Sequence, residues 1–149
     1  MIIVEAADPR HPEASALLRA SHTLMESLFP PEDNFFLDID ALCAPDIRFF
    51  AARIGTTILG TGALALRDGY GEVKSMFVAE TARGQGVADA LLRQIEDEAR
   101  THALPCLRLE TGNLLTAAHK LYARHGFMPR GPFGDYPNTP SSIFMEKRL

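Results

Sequence analysis

Residues 46–112 constrain the fold more than any other part of the chain. "DIRFFAARIGTTILGTGALALRDGYGEVKSMFV" is three strand-like runs parted by Gly55-Thr56-Thr57 and Asp68-Gly69. Such breaks predict two hairpins and an antiparallel meander. Behind it, in "GVADALLRQIEDEARTHAL", Val87, Ala90, Leu91, Gln94, Ile95 and Glu98 recur at i, i+3, i+4 spacing, which predicts a helix. "PCLRLETG" then reads as a fifth strand. A strand, a helix and a strand in succession predict a parallel, right-handed crossover, so the sheet is mixed.

The flanks add to this frame. "MIIVEAA" reads as the first strand, and Asp8-Pro9 as the N-cap and first residue of a helix to Leu28. Ala14, Leu17, Leu18, Leu24, Met25 and Leu28 would face its core. "FPPEDN" breaks that helix, and residues 35–45 read as a short helix or loop. "LTAAHKLYARHGF" is a periodic helix carrying Leu115, Ala118, Leu121 and Tyr122 on one side, with Gly126 at its C-terminal cap. "FMPRGPF" and "SSIFMEKRL" are two last strands joined by "GDYPNTP". The order β α (α) β β β α β α β β implies an α/β (α+β) fold. With 149 residues and no repeat or linker, one domain over 1–149 is expected.

Composition excludes several classes. The formal charge is −4, which argues against a nucleic-acid partner. No apolar run approaches a membrane span, and "MIIVEAADPR" lacks a basic leader with a cleavage site. A cytoplasmic protein is expected. Cys43 and Cys106 form neither a disulfide framework nor a zinc motif. The five histidines lack metal-ligand spacing, and no metal is expected. Ser141 and Ser142 lack a His/Asp arrangement, so a serine hydrolase is a poor reading.

Gly84 and Gly86, in "RGQGVADALL", pose a problem of their own. Inside a helix glycine costs roughly 1 kcal/mol against alanine. At a helix start it can serve a tight turn, or allow backbone to approach an anion. The spacing matches neither the dinucleotide fingerprint G-x-G-x-x-G nor a P-loop. The segment "EVKSMFVAETARGQGVADALLRQIEDEA" resembles the cofactor motif of the GNAT superfamily of acetyl-CoA-dependent N-acetyltransferases, Q/R-x-x-G-x-G/A after strand four. Arg83, Gly86 and Ala88 match it. "LETG…LYARHGF" resembles the superfamily's next motif, and "LETG" with "PFGDY" resembles, more narrowly, a YsnE-like branch of small bacterial acetyltransferases.

The resemblance implies a mixed, mostly antiparallel sheet of six to seven strands around a central β-α-β crossover, with about four flanking helices. It implies acetyl-CoA as co-substrate. Backbone N–H groups of Gly84, Gln85, Gly86, Val87, Ala88 and Asp89 would cradle the pyrophosphate. Main-chain groups of Met76, Phe77 and Val78 would meet the pantetheine arm where strands four and five splay apart. The family often has Asn seven residues before its motif tyrosine. Leu115 stands there in this chain, and Asn113 is the nearest substitute.

Acetyl transfer to an amine needs a base and an acid. The resemblance makes Tyr122 the acid for the CoA thiolate, and Glu110 or Glu72 the base. Strand alternation puts Glu72, Lys74, Met76 and Val78 on one face unless a bulge intervenes. Structural roles compete: Glu72 pairing with Lys74, Glu110 capping the next helix, or a water chain carrying the proton. Phe133, Asp135 and Tyr136, in the long last connection, suit an amine through cation–π and charge attraction. The alternative for that loop is an aromatic cover for the core's edge. The expected acceptor is a small or amino-acid-like primary amine. A protein or peptide amine is the alternative, and a non-catalytic acyl-CoA sensor a third reading. The exposed last strands suggest a homodimer.

Overall fold

In the computed structural model, which describes residues 1–149, the chain runs β1 (Ile2–Ala6), α1 (Pro12–Leu28), α2 (Ile39–Leu42), β2 (Ile47–Ile54), β3 (Thr57–Arg67), β4 (Tyr70–Val78), α3 (Val87–Thr101), β5 (Cys106–Gly112), α4 (Thr116–Arg124), β6 (Met128–Arg130) and β7 (Ser142–Arg148). Two short 3₁₀ turns, Pro31–Asp33 and Glu80–Ala82, precede α2 and α3. No helix is long and apolar enough to cross a membrane.

One seven-stranded sheet takes the order β1-β2-β3-β4-β5-β7-β6. The expected hairpins form: Ile54 pairs with Thr57 and Arg67 with Tyr70, so each loop holds two residues. Every neighbouring pair is antiparallel except β4 and β5, joined through α3. That parallel seam is narrow. It pairs only Gly71 with Leu107 and Glu72 with Arg108, and the two strands then separate.

Alternation along β3 divides the core. Leu64 packs in a cluster with Val87, Leu91, Leu92 and Ile95 of α3 and with Leu121 and Tyr122 of α4. Ala63 and Ala65 pack with Ala14 and Leu18 of α1. Opposite faces of the sheet therefore carry α1 and the α3–α4 pair. Each fully buried Leu or Ile of α3 contributes about 1.5–3 kcal/mol through apolar burial. That packing is close: a Cβ on Gly62 would stand 2.8 Å from Met76 Sδ and 3.1 Å from Ile95 Cδ1. Glu96, on the same helix, is buried because Lys147 Nζ reaches it at 2.6 Å.

Two sequence expectations need correction, and one stated condition is met. α1 begins at Pro12, not Pro9, because Asp8 closes a turn onto the Arg10 N–H (2.9 Å) and His11 Nδ1 accepts from the Glu13 N–H. Leu28 is 37% exposed; the next residue, Phe29, is the one buried. A bulge does interrupt β4. Thr61 pairs with Phe77 but Ala63 with Lys74, so Ser75 and Met76 share one position opposite Gly62. Ser75 sits at φ 56, left-handed backbone that a serine seldom adopts. Its carbonyl is held by Thr61 Oγ1 at 2.9 Å. The bulge moves Met76 and Val78 onto the α3 face, away from Glu72 and Lys74.

Candidate active site

The turn before α3 is built from backbone. Gly84 and Gly86 take φ 77 and 85, and a Cβ at either would enter open space. No N–H from Gly84 to Asp89 donates to a backbone acceptor. These are the free donors of a helix start, at the positive end of its dipole. Val87 anchors the turn in the core, while Arg83, Gln85 and both glycines are exposed. The Asp89 carboxylate does not intrude. It faces α4, held by His125 Nε2 (2.8 Å) and Arg124 (3.1 Å), contacts that lower its pKa.

Beyond the seam the parting strands open a cleft of about 760 Å³, counting its mouth. It crosses the sheet. Met25 of α1, and Phe29, Asp33, Phe35 and Phe36 of the segment that follows, roof it on one face; Leu115, Ala118 and Tyr122 close it on the other. Ser75 lies on its wall, and its Oγ is buried without a hydrogen-bond partner. Unpartnered N–H groups at the turn, room before the glycines and an orphaned hydroxyl at the bulge fit a diphosphate with an amide-bearing arm. Phe77 and Val78 continue β4 toward the turn, paired with Thr61 and Gly60 of β3.

Glu110 and Tyr122 face this cleft. Burial pushes the Glu110 carboxyl up, with Glu72 and Asp33 acting the same way; a hydrogen bond from Ser142 Oγ (2.8 Å) and the charge of Lys74 hold it back. Tyr122 is 6% exposed, and its hydroxyl has no hydrogen bond to protein. Burial first, and Glu110 second, push that phenol well above its usual value.

Glu72 has a different setting. It is 3% exposed and both its oxygens are engaged. Arg67 Nε lies 3.3 Å from Oε1, while Tyr136 Oη donates to Oε2, with Lys74 Nζ 3.5 Å away. Lys74 Nζ also donates to Tyr136 Oη (2.8 Å) and to the Phe35 carbonyl (3.0 Å), tying β4 to the cleft's roof. Of the two glutamates, Glu110 is thus the one that lines the cleft.

The residues expected to touch an acceptor do not line this cleft. Phe133 is 6% exposed, edge-on to Tyr70, Tyr136 and Phe144. Asp135 is exposed and makes no ion pair. Tyr136 turns its hydroxyl to Glu72, and burial with that carboxylate pushes its pKa far up. Asn113 is exposed and its N–H donates to the Ser141 carbonyl, whereas Leu115 lines the cleft. The wall comes instead from 29–36, which had read as a helix breaker followed by a short helix or loop. Its Phe35-Phe36 pair, in a proline-flanked loop, was the available signal. The sequence offers Lys74 as a partner of Glu72, and it is one (3.5 Å), but not as a link to the roof; Ser75 gives no signal, since no pattern marks a bulge.

The acetyltransferase (GNAT) family model matches residues 14–127. The chain is similar to the "IAA acetyltransferase" of Azospirillum brasilense, 43% identical over 150 residues that cover 99% of this chain and 98% of that protein. It is 39% identical to the uncharacterized N-acetyltransferase YsnE of Bacillus subtilis over 87% of this chain and 85% of that one. A Klebsiella pneumoniae crystal structure described as an acyl-CoA N-acyltransferase superposes with a TM-score of 0.84 at 33% identity, covering 100% of this chain and 98% of its own. The PaiA N-acetyltransferase of Thermoplasma acidophilum, solved with coenzyme A, shares the fold at a TM-score of 0.77 and 15% identity, covering 100% of this chain and 99% of its own. Matches of that extent go beyond a shared architecture: the chain belongs to the GNAT acetyltransferase family and is an acyltransferase.

Proposed function

We propose that the chain moves an acetyl group from acetyl-CoA to a primary amine of a small molecule, amino-acid-like compounds included, by direct attack. One observation carries this reading. Glu110, on the α1 face, and Tyr122, from the α4 face, line a single cleft where β4 and β5 part. Acetyl-CoA, when bound, supplies the activated acyl group and a thiolate leaving group. The N–H groups of Gly84 to Asp89 would hold its pyrophosphate, and Met76, Phe77 and Val78 would flank its arm.

Glu110 accepts a proton from the acceptor ammonium, whose ordinary pKa of about 10.4 keeps it charged near neutrality. A carboxylate raised by burial is better matched to that transfer. Tyr122 holds its proton firmly in a dry setting and gives it to sulfur as the C–S bond breaks. The nitrogen loses two protons as the N–C bond forms, sulfur gains one, and one proton is released overall. A roof of Met25, Phe29, Phe35 and Phe36 over the acceptor side favours a small amine above a peptide.

The test follows free thiol released from acetyl-CoA across a panel of small amines, peptide N-termini and lysine peptides. Turnover confined to the small amines is expected. Turnover confined to peptides would establish the protein-acceptor alternative. Tight acetyl-CoA binding without turnover anywhere would establish a sensor.

A further inference from the structure

The acceptor side of the cleft has lopsided charges, and this limits what can occupy it. Lys74 is the one cation along it. Its ammonium is already engaged by the Phe35 carbonyl at 3.0 Å, Tyr136 Oη at 2.8 Å and Glu72 at 3.5 Å, and its side chain is 9% exposed. A carboxylate arriving there would have to draw Lys74 from Glu72, leaving a buried anion short of its partner.

The anions are less occupied. Asp33 uses Oδ2 for the Ser141 hydroxyl (2.8 Å), and Glu110 uses Oε2 for the Ser142 hydroxyl (2.8 Å). No protein donor reaches Asp33 Oδ1 or Glu110 Oε1. The two carboxylates are near enough for Asp33 to raise the pKa of Glu110. Beside them the wall is apolar: Met25, Phe29, Phe35 and Phe36. A group that satisfies this surface has a positive head, an apolar body and no negative charge.

We infer that the acceptor is an alkyl or arylalkyl primary amine without a carboxylate, its ammonium received by Glu110 and Asp33 and its body laid against Met25, Phe29 and Phe35. This rests on the acetyl-transfer reading above and narrows it. Asp33 then acts as a specificity residue: it draws the cation in and repels zwitterions, since like charges brought together discriminate strongly.

The experiment compares phenethylamine with phenylalanine, which differ only in the carboxylate. Phenethylamine should give a kcat/KM at least about 100-fold higher. Asp33→Asn, which keeps an acceptor for Ser141, should raise the KM for phenethylamine about tenfold. It should leave the acetyl-CoA Kd and the melting temperature unchanged. Calorimetry of phenethylamine binding to both forms gives a readout independent of turnover. Equal or better use of phenylalanine overturns the inference, as does an unmoved KM and Kd in Asp33→Asn. Failure of phenethylamine both to react and to bind, in a protein that binds acetyl-CoA, also overturns it. A protein that binds no acetyl-CoA overturns the acetyl-transfer reading instead.

Discussion

The turn before α3 and the cleft beyond the seam, proposed as the cofactor and acceptor ends of one site, are made of different material. At the turn before α3 the working groups are main-chain N–H groups, and side chains are pruned away by Gly84 and Gly86. At the acceptor end the working groups are side chains, locked by one another: Glu72 by Arg67 and Tyr136, Lys74 by Phe35, Asp33 by Ser141. A backbone site depends on local conformation and tolerates changes that keep the dihedrals. A side-chain site depends on distant partners, so one substitution there unpairs several groups. The two ends should therefore fail differently.

The largest effect is expected at the turn. Gly86→Val should abolish acetyl-CoA binding by calorimetry, because φ 85 is unfavourable for a β-branched residue and the new side chain enters the space before the N–H groups. Gly86→Asn, which tolerates that region, should keep the fold and separate strain from obstruction. Unchanged affinity in Gly86→Val would break the contrast at its first term.

Next comes Tyr122→Phe. It should lower kcat by roughly 10²–10⁴ while acetyl-CoA affinity holds. Its melting temperature should stay put, since the hydroxyl has no protein partner to lose. A full-rate variant excludes Tyr122 as the acid.

Glu110→Gln should remove the acidic limb of the pH–rate profile. With Glu110 as the base, the native limb is expected above the ordinary value of a free carboxylate, because burial raises the pKa. The same shift fixes the sign for stability. A folded-state pKa above the unfolded value means the fold favours the protonated acid and is disfavoured as pH rises through ionisation. Glu110→Gln should thus lose activity without losing stability at neutral pH, as denaturant titration can check. A surviving acidic limb would move the base elsewhere.

Tyr136→Ala tests the acceptor end as a lattice of partners. It strips a hydrogen bond from a buried carboxylate and from Lys74, and removes a ring packed on Phe35 and Phe144. A loss of about 2–3 kcal/mol in unfolding free energy is expected. An unaltered stability with a raised acceptor KM would make Tyr136 a contact residue rather than a brace.

The smallest effect sharpens the comparison from outside the site. Ala103, beyond the end of α3, also has left-handed backbone, φ 55; its N–H bonds Arg100 O and that of Leu104 bonds Ala99 O. This is the cap that glycine serves best, and Gly126 fills it after α4. Ala103→Gly should raise stability by about 0.5–1 kcal/mol with no change in acetyl-CoA affinity. One left-handed residue is proposed to serve a ligand, and the other serves only a helix end.

The same contrast explains what could be read in advance. The meander, the crossover, α3 and the glycine turn were legible because each depends on neighbours in sequence: Asp68-Gly69 makes its own hairpin, and Val87, Leu91 and Ile95 their own stripe. The acceptor end was not. Nothing near Tyr136 in sequence says that its hydroxyl meets Glu72, 64 residues away, or that Phe133 is covered by Phe144. The start of α1 was misplaced because Asp8-Pro9 carries the favoured capping residues, whereas the Asp8 carboxylate is spent on the Arg10 N–H and the less usual cap His11 accepts from the Glu13 N–H. The Ser75 bulge was foreseen only as a condition.

The narrow seam has a mechanical consequence. β1 to β4 form one antiparallel plate, and β5, β7 and β6 another; β5 and β7 are in register at seven positions, but β4 and β5 at two. Two stiff plates on a short hinge open most easily along the hinge. Amide hydrogens beside it should exchange sooner than those inside either plate, through partial openings that leave both plates intact. A molecule wedged between the plates, touching β4 and β5 at once, would act as a splint. It would slow that exchange and raise the melting temperature, with a stabilisation that grows as the logarithm of one plus its concentration over its dissociation constant.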